Sequence, residues 1–243
     1  MHFTVPSLLL ALTIGQAPRE CYRTTNFMVY AETAATAKRV GDAAETHRKD
    51  LGKLWLGKAL ADWSSPCRID VSGGERLGGY TDVSFSQGRV TFQGMKLHGP
   101  LERVLVGPLP HELTHVLFAH HFGRRLPRWA DEGGAIVSES EAQRAKHRKS
   151  FAGMLTEGRQ FPLRKFFGME DYPADIPCFY AQGHSISGYL VAARGHKAFL
   201  AFVQTGLDSN WDNAAREQYG YQNVEDMERD WLNYLGRQAR MAP

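Results

Sequence analysis

The run His111-Glu112-Leu113-Thr114-His115 has residue types and a spacing that suit chemistry. On a helix, side chains four apart share a face, so both imidazoles can reach one point while Glu112 stands beside it. Two neutral imidazoles and a carboxylate are a donor set for Zn²⁺ that leaves a fourth position for water, whose pKa the metal lowers toward about 7. A glutamate placed like Glu112 is not a ligand in that geometry; it takes the proton as the water attacks a carbonyl. Leu109, Leu113, Val116 and Leu117 flank the run and make the segment apolar and core-facing. Such a helix avoids two histidines and a glutamate unless something satisfies them, because unpaired buried charge is costly.

A third ligand must come from elsewhere. Trp129-Ala130-Asp131-Glu132-Gly133 offers the Glu132 carboxylate after a loop, Gly123 to Pro127, that lets a second helix fold back on the first. With HExxH followed by W-x-x-E-G, the chain resembles the gluzincin zinc metallopeptidases, specifically the peptidase MA-like group. That resemblance implies His111, His115 and Glu132 as zinc ligands and Glu112 as catalytic base. It implies hydrolysis of a peptide or protein substrate by Glu-assisted attack of a zinc-bound water. Sixteen residues separate His115 from Glu132, a short gap that suggests a compact site. The competing ligand is His121, at the position metzincins use, but Phe118 stands where their turn needs glycine. If the helix continues, His121 lies about 15 Å along the axis and about 80° off the His111 face.

Other residues are open to two readings. Asp131 either accepts a hydrogen bond from a ligand imidazole or is an exposed first-turn carboxylate. Phe179-Tyr180-Ala181-Gln182-Gly183-His184-Ser185 resembles the downstream Y-x-x-G-x-S segment of the same group. Tyr180 is therefore the candidate donor to an oxyanion, with His184 second; core packing and helix capping are the alternatives. No G-x-M-E-N-like segment precedes the motif, although Gly94-Met95-Lys96 comes near it. The alternative to a peptidase is a non-catalytic zinc-binding or peptide-binding module that keeps the fold.

The elements that must position these residues follow from periodicity. Asn26 to Ala31 and Cys67 to Ser72 alternate as strands, and the stretch from Thr33 to Leu60 has helical spacing, which predicts a strand–helix–strand unit. Val83 to Phe92 reads as a hairpin about Ser86-Gln87-Gly88, whose edge could receive an extended peptide. From Pro100 the pattern is helical, with helices predicted at about 129–147, 180–194, 196–205, 210–219 and 223–238. The last has Asn223 as cap and Val224, Met227, Trp231 and Leu235 as its buried face. The fold class is α+β: a small N-terminal mixed sheet with a helix, then a mainly helical zincin-like half.

Composition agrees with a globular chain. Apolar residues make up 43% and charged residues 23% of 243 positions, which excludes wholesale disorder. The balance of 29 Lys+Arg against 26 Asp+Glu, +3, gives no reason to expect nucleic acid as a partner. The basic run from Arg144 to Lys149 has no interleaved aromatics and reads as a solvated helix end. No apolar run is long enough for a stable membrane span. Residues 1–17 read as a signal peptide, since apolar Val5 to Gly15 ends in Gly15-Gln16-Ala17, so an exported protein is expected, periplasmic or extracellular. Residues 18–99 then form the α/β part and 100–243 the helical catalytic part, as one unit. In an oxidising compartment two of Cys21, Cys67 and Cys178 could pair.

Overall fold

A computed structural model describes residues 19–241, and the expected signal peptide lies outside them. Strands β1 (Glu20–Arg23), β2 (Phe27–Ala31), β3 (Cys67–Ser72), β4 (Gly78–Ser86) and β5 (Arg89–His98) form a mixed sheet in the order β1-β2-β3-β5-β4. The inner strands β2, β3 and β5 run parallel, and β1 and β4 close the two edges antiparallel. Alternation sends Phe27, Val29, Ala31, Cys67, Ile69, Val71, Met95 and Leu97 into the core, while Arg68, Ser72 and Lys96 stay outside.

The strand–helix–strand prediction holds: β2 and β3 are parallel neighbours joined by helix α1 (Ala34–Leu51), which buries Ala37, Val40 and Ala44. A π-helical turn, Gly52–Leu56, extends it, and Gly57 in the left-handed region (φ 69°) stops it short of the predicted Leu60. The hairpin also holds, turning at Gln87-Gly88. The short strand β1 was not predicted. It is mostly exposed, so it carries no burial alternation to read.

The second half is helical: α2 (Leu101–Val106), α3 (Pro108–Phe122), α4 (Arg128–Val137), α5 (Glu141–Thr156), α6 (Leu163–Phe167), α7 (Ile176–Asp208), α8 (Trp211–Ala214) and α9 (Val224–Met241). The helix predicted over 129–147 is two helices, α4 and α5, broken at Ser138-Glu139-Ser140 where the Trp55 indole donates to Ser138 Oγ (2.9 Å). Helix α6, too short to show a period, was also not predicted. Helix α7 breaks at Gly195 (φ 82°), where two helices were expected to meet. It starts at Ile176, earlier than predicted, because Asp175 caps it by accepting from Cys178 N (3.2 Å). On α9, Asn223 accepts from Asp226 N (2.9 Å), and Val224, Met227 and Trp231 are buried as the pattern required, while Leu235 is half-buried.

Helix α3 lies between the sheet and the later helices and is buried on nearly every side, from Leu109 through Ala119. It ends at Gly123 (φ 64°), where a Cβ would overlap the Gly88 carbonyl at the hairpin tip. Helix α4 packs on α7 backbone to backbone, since a Cβ on Gly133 would overlap the Gly183 carbonyl. Trp129 anchors α4 among Phe167, Phe199, Phe202 and Trp211, with the Phe167 ring 4.5 Å away. The cysteines are free; Cys21 is exposed, and burial pushes the Cys67 thiol up to about 12. Among the described residues no helix is long and apolar enough to cross a membrane.

Candidate metal centre

Because α3 is helical through its motif, His111 and His115 lie one turn apart and face α4. Their free ring nitrogens meet the third donor there: His111 Nε2 is 3.6 Å and His115 Nε2 3.8 Å from Glu132 Oε2. One donor atom from each of His111, His115 and Glu132 lies within 4.8 Å of the others, close enough to hold a metal ion. His121 does not join them. It is exposed at the end of α3, edge-on to Phe122.

The opposite nitrogens fix the rings. His111 Nδ1 is 2.7 Å from Glu139 Oε1, and His115 Nδ1 is 2.7 Å from Asp131 Oδ1. Each carboxylate accepts from Nδ1 and leaves the Nε2 lone pair aimed at the common point. Asp131 is therefore an imidazole partner. Glu139 was not singled out from the sequence; it sits on the break between α4 and α5, and reaches His111 only because that break turns the chain. Asp131→Ala is expected to weaken metal affinity by about 10–100-fold. Competition against a chromogenic chelator measures this, and an unchanged dissociation constant would strip the bond of importance.

Glu112 stays outside the donor set and faces the edge strand. Its Oε2 accepts from Thr81 Oγ1 (2.7 Å), which also reaches the Glu112 carbonyl (3.2 Å). Glycine at position 79 leaves room for this carboxylate, since a Cβ there would lie 2.5 Å from Glu112 Oε1. Strand β4 thus positions the expected base and forms one wall of a cleft of about 1040 Å³ that also holds His111, His115 and Glu132.

The charges test whether a metal fits. Glu112, Asp131, Glu132 and Glu139 crowd two imidazoles, and among the described residues no Lys or Arg pairs with any of the four. Carboxylates gathered in a largely buried site need positive charge, and a dication facing two imidazoles and one carboxylate supplies it. In the protein alone, protons do this work. Burial would lower the His111 imidazole, but Glu132 and Glu139 outweigh it and hold it up at about 10. Burial acts likewise on His115, which Asp131 and Glu132 hold up at about 9. For Glu132, burial pushes upward, and the two imidazoles overcome it and hold the carboxyl down at about 2.

Tyr180 lines the cleft, and its hydroxyl donates to Tyr172 Oη (3.3 Å), which in turn donates to Glu132 Oε1 (2.7 Å). Burial raises both phenols, Tyr172 to about 12. Tyr172 escaped the sequence reading because the loop from Gly168 to Asp175 has no period. An aromatic before a proline in a polar loop was the available signal. His184 is not in the cleft. It lies one turn further along α7, buried against the His147 ring of α5 (5.8 Å between centroids), and burial lowers it to about 4. The sequence was compared with protein-family models and with curated proteins, and no match was found to either.

Proposed function

We propose that this chain is a zinc-dependent peptidase of gluzincin type, exported and acting on peptide or protein substrates. The observation that supports it is the convergence of His111, His115 and Glu132, with Glu112 beside them and outside the donor set. Three protein ligands of nitrogen and oxygen are the pattern of a catalytic zinc site, whereas structural sites use four. Zinc held by these residues supplies Lewis acidity toward a carbonyl and toward water. Glu112 then acts as the base, its carboxylate fitted into the room that Gly79 leaves and held at Oε2 by Thr81. It takes the proton from the attacking water and passes it to the leaving amine, so that amide and water become acid and amine. Tyr180 stands on the cleft wall to donate to the carbonyl oxygen as negative charge develops there. The outer edge of β4 runs along the cleft and offers main-chain hydrogen bonds to an extended peptide. The apolar stretch from Val5 to Gly15 supports export.

The test is turnover of a quenched-peptide library by purified protein with measured zinc content. Cleavage that a chelator abolishes and one equivalent of zinc restores is the expected result. Zinc-replete protein that cuts nothing would leave a zinc- or peptide-binding module.

A further inference from the structure

We propose that Tyr172 is a positioning residue for the ligand carboxylate. Its hydroxyl holds Glu132 Oε1, so that Oε2 alone faces the two imidazoles and Glu132 serves as a one-oxygen ligand. The proposal rests on the metal-site reading above and is independent of which substrate the site takes.

A carboxylate can meet a cation through one oxygen or through both. Glu132 Oε2 is the atom 3.6 Å and 3.8 Å from the two Nε2 atoms, and Oε1 is the atom that accepts a hydrogen bond from the Tyr172 hydroxyl at 2.7 Å. The two oxygens are therefore already assigned different work. For Oε1 to join the ion as well, it would have to give up a hydrogen bond to a charged acceptor, the stronger kind. Holding it back keeps a coordination position open for water or a carbonyl, which a catalytic site needs.

Tyr172 is itself held on several sides. Its ring stacks on Tyr180 (centroids 5.9 Å apart, planes at 15°) and meets Phe179 edge-on at 5.5 Å. The Arg128 guanidinium lies over it, 5.2 Å from the ring centre. Its loop is tied at the far end by Asp175, which caps α7 and receives Arg159 through both carboxylate oxygens at 2.9 Å. The hydroxyl is thus delivered to Glu132 by packing from α4, α7 and the loop together. The Tyr172 proton is committed to Glu132 at 2.7 Å, whereas Tyr180 donates to Tyr172 over a longer 3.3 Å.

Tyr172→Phe removes one oxygen and keeps the ring contacts, so it separates positioning from packing. Cobalt reports the geometry directly, since its visible absorption is strong in a four-coordinate site and weaker when a fifth ligand joins. The cobalt-loaded wild type is expected to give the strong band. In Tyr172→Phe the band should fall severalfold as the freed Oε1 joins the ion, with the far-ultraviolet circular dichroism of the wild type retained. Tyr180→Phe, which leaves the Tyr172–Glu132 bond in place, should keep the wild-type spectrum. Identical cobalt spectra and cobalt dissociation constants for wild type and Tyr172→Phe would overturn the proposal while leaving the metal site standing. A wild type that binds no cobalt or zinc would remove both.

Discussion

Glu112→Gln is expected to keep its metal and lose turnover by about 10²–10⁴-fold, the contribution of a positioned general base. The substitution preserves shape. A glutamine carbonyl can still accept from Thr81 Oγ1, so the side chain stays against β4 as the carboxylate does at 2.7 Å. Glu112 is not among the grouped donors, so removing its charge does not empty the site. The change lies in the other oxygen, which becomes an amide nitrogen that cannot take a proton from water. Zinc content by elemental analysis and kcat on a quenched peptide read the two halves of the claim. Wild-type turnover in the variant would remove Glu112 as the base, and loss of zinc would make it part of the metal site instead.

The second large effect is expected from Glu132→Ala. This change removes the one anionic donor and the atom toward which both Nε2 atoms converge, and it leaves the Tyr172 hydroxyl without its acceptor. Zinc affinity should fall by more than the about 10–100-fold expected for an outer partner such as Asp131. Thermal unfolding offers a readout that needs no substrate. A ligand present at about a thousand times its dissociation constant stabilises the folded state by about 4 kcal/mol. Zinc should therefore raise the melting temperature of the wild type and leave that of Glu132→Ala almost where it was. An equal rise in both proteins would mean that the ion sits elsewhere.

The parts of this site that local geometry controls were legible. Two histidines four apart on an apolar segment need only the helical repeat to share a face, and α3 supplies it. Glu132 was readable through the resemblance of its W-x-x-E-G segment; in the structure Trp129 is buried against Phe167 and fixes α4 in the core, with Glu132 three residues on facing the two imidazoles. The strand–helix–strand unit was legible because β2 and β3 alternate between a buried and an open face. Where burial leaves no period, the reading failed. Exposed β1, short α6 and the break at Ser138 to Ser140 were all missed, and the break carries Glu139.

The sequence alone therefore pointed to the three side chains that converge, His111 and His115 by their spacing on one helix and Glu132 by the resemblance of its W-x-x-E-G segment, with Glu112 as the proposed base beside them. Tertiary packing decided what surrounds them. Thr81, Glu139 and Tyr172 reach their partners across 31, 28 and 40 residues of chain, by an edge strand, a helix break and an aperiodic loop. No local pattern encodes such approaches, because each depends on how the sheet, α3, α4 and α7 fill one core. It is that filling which aims the imidazoles, divides the two oxygens of Glu132, and buries His184, the second donor candidate, against His147 and outside the cleft.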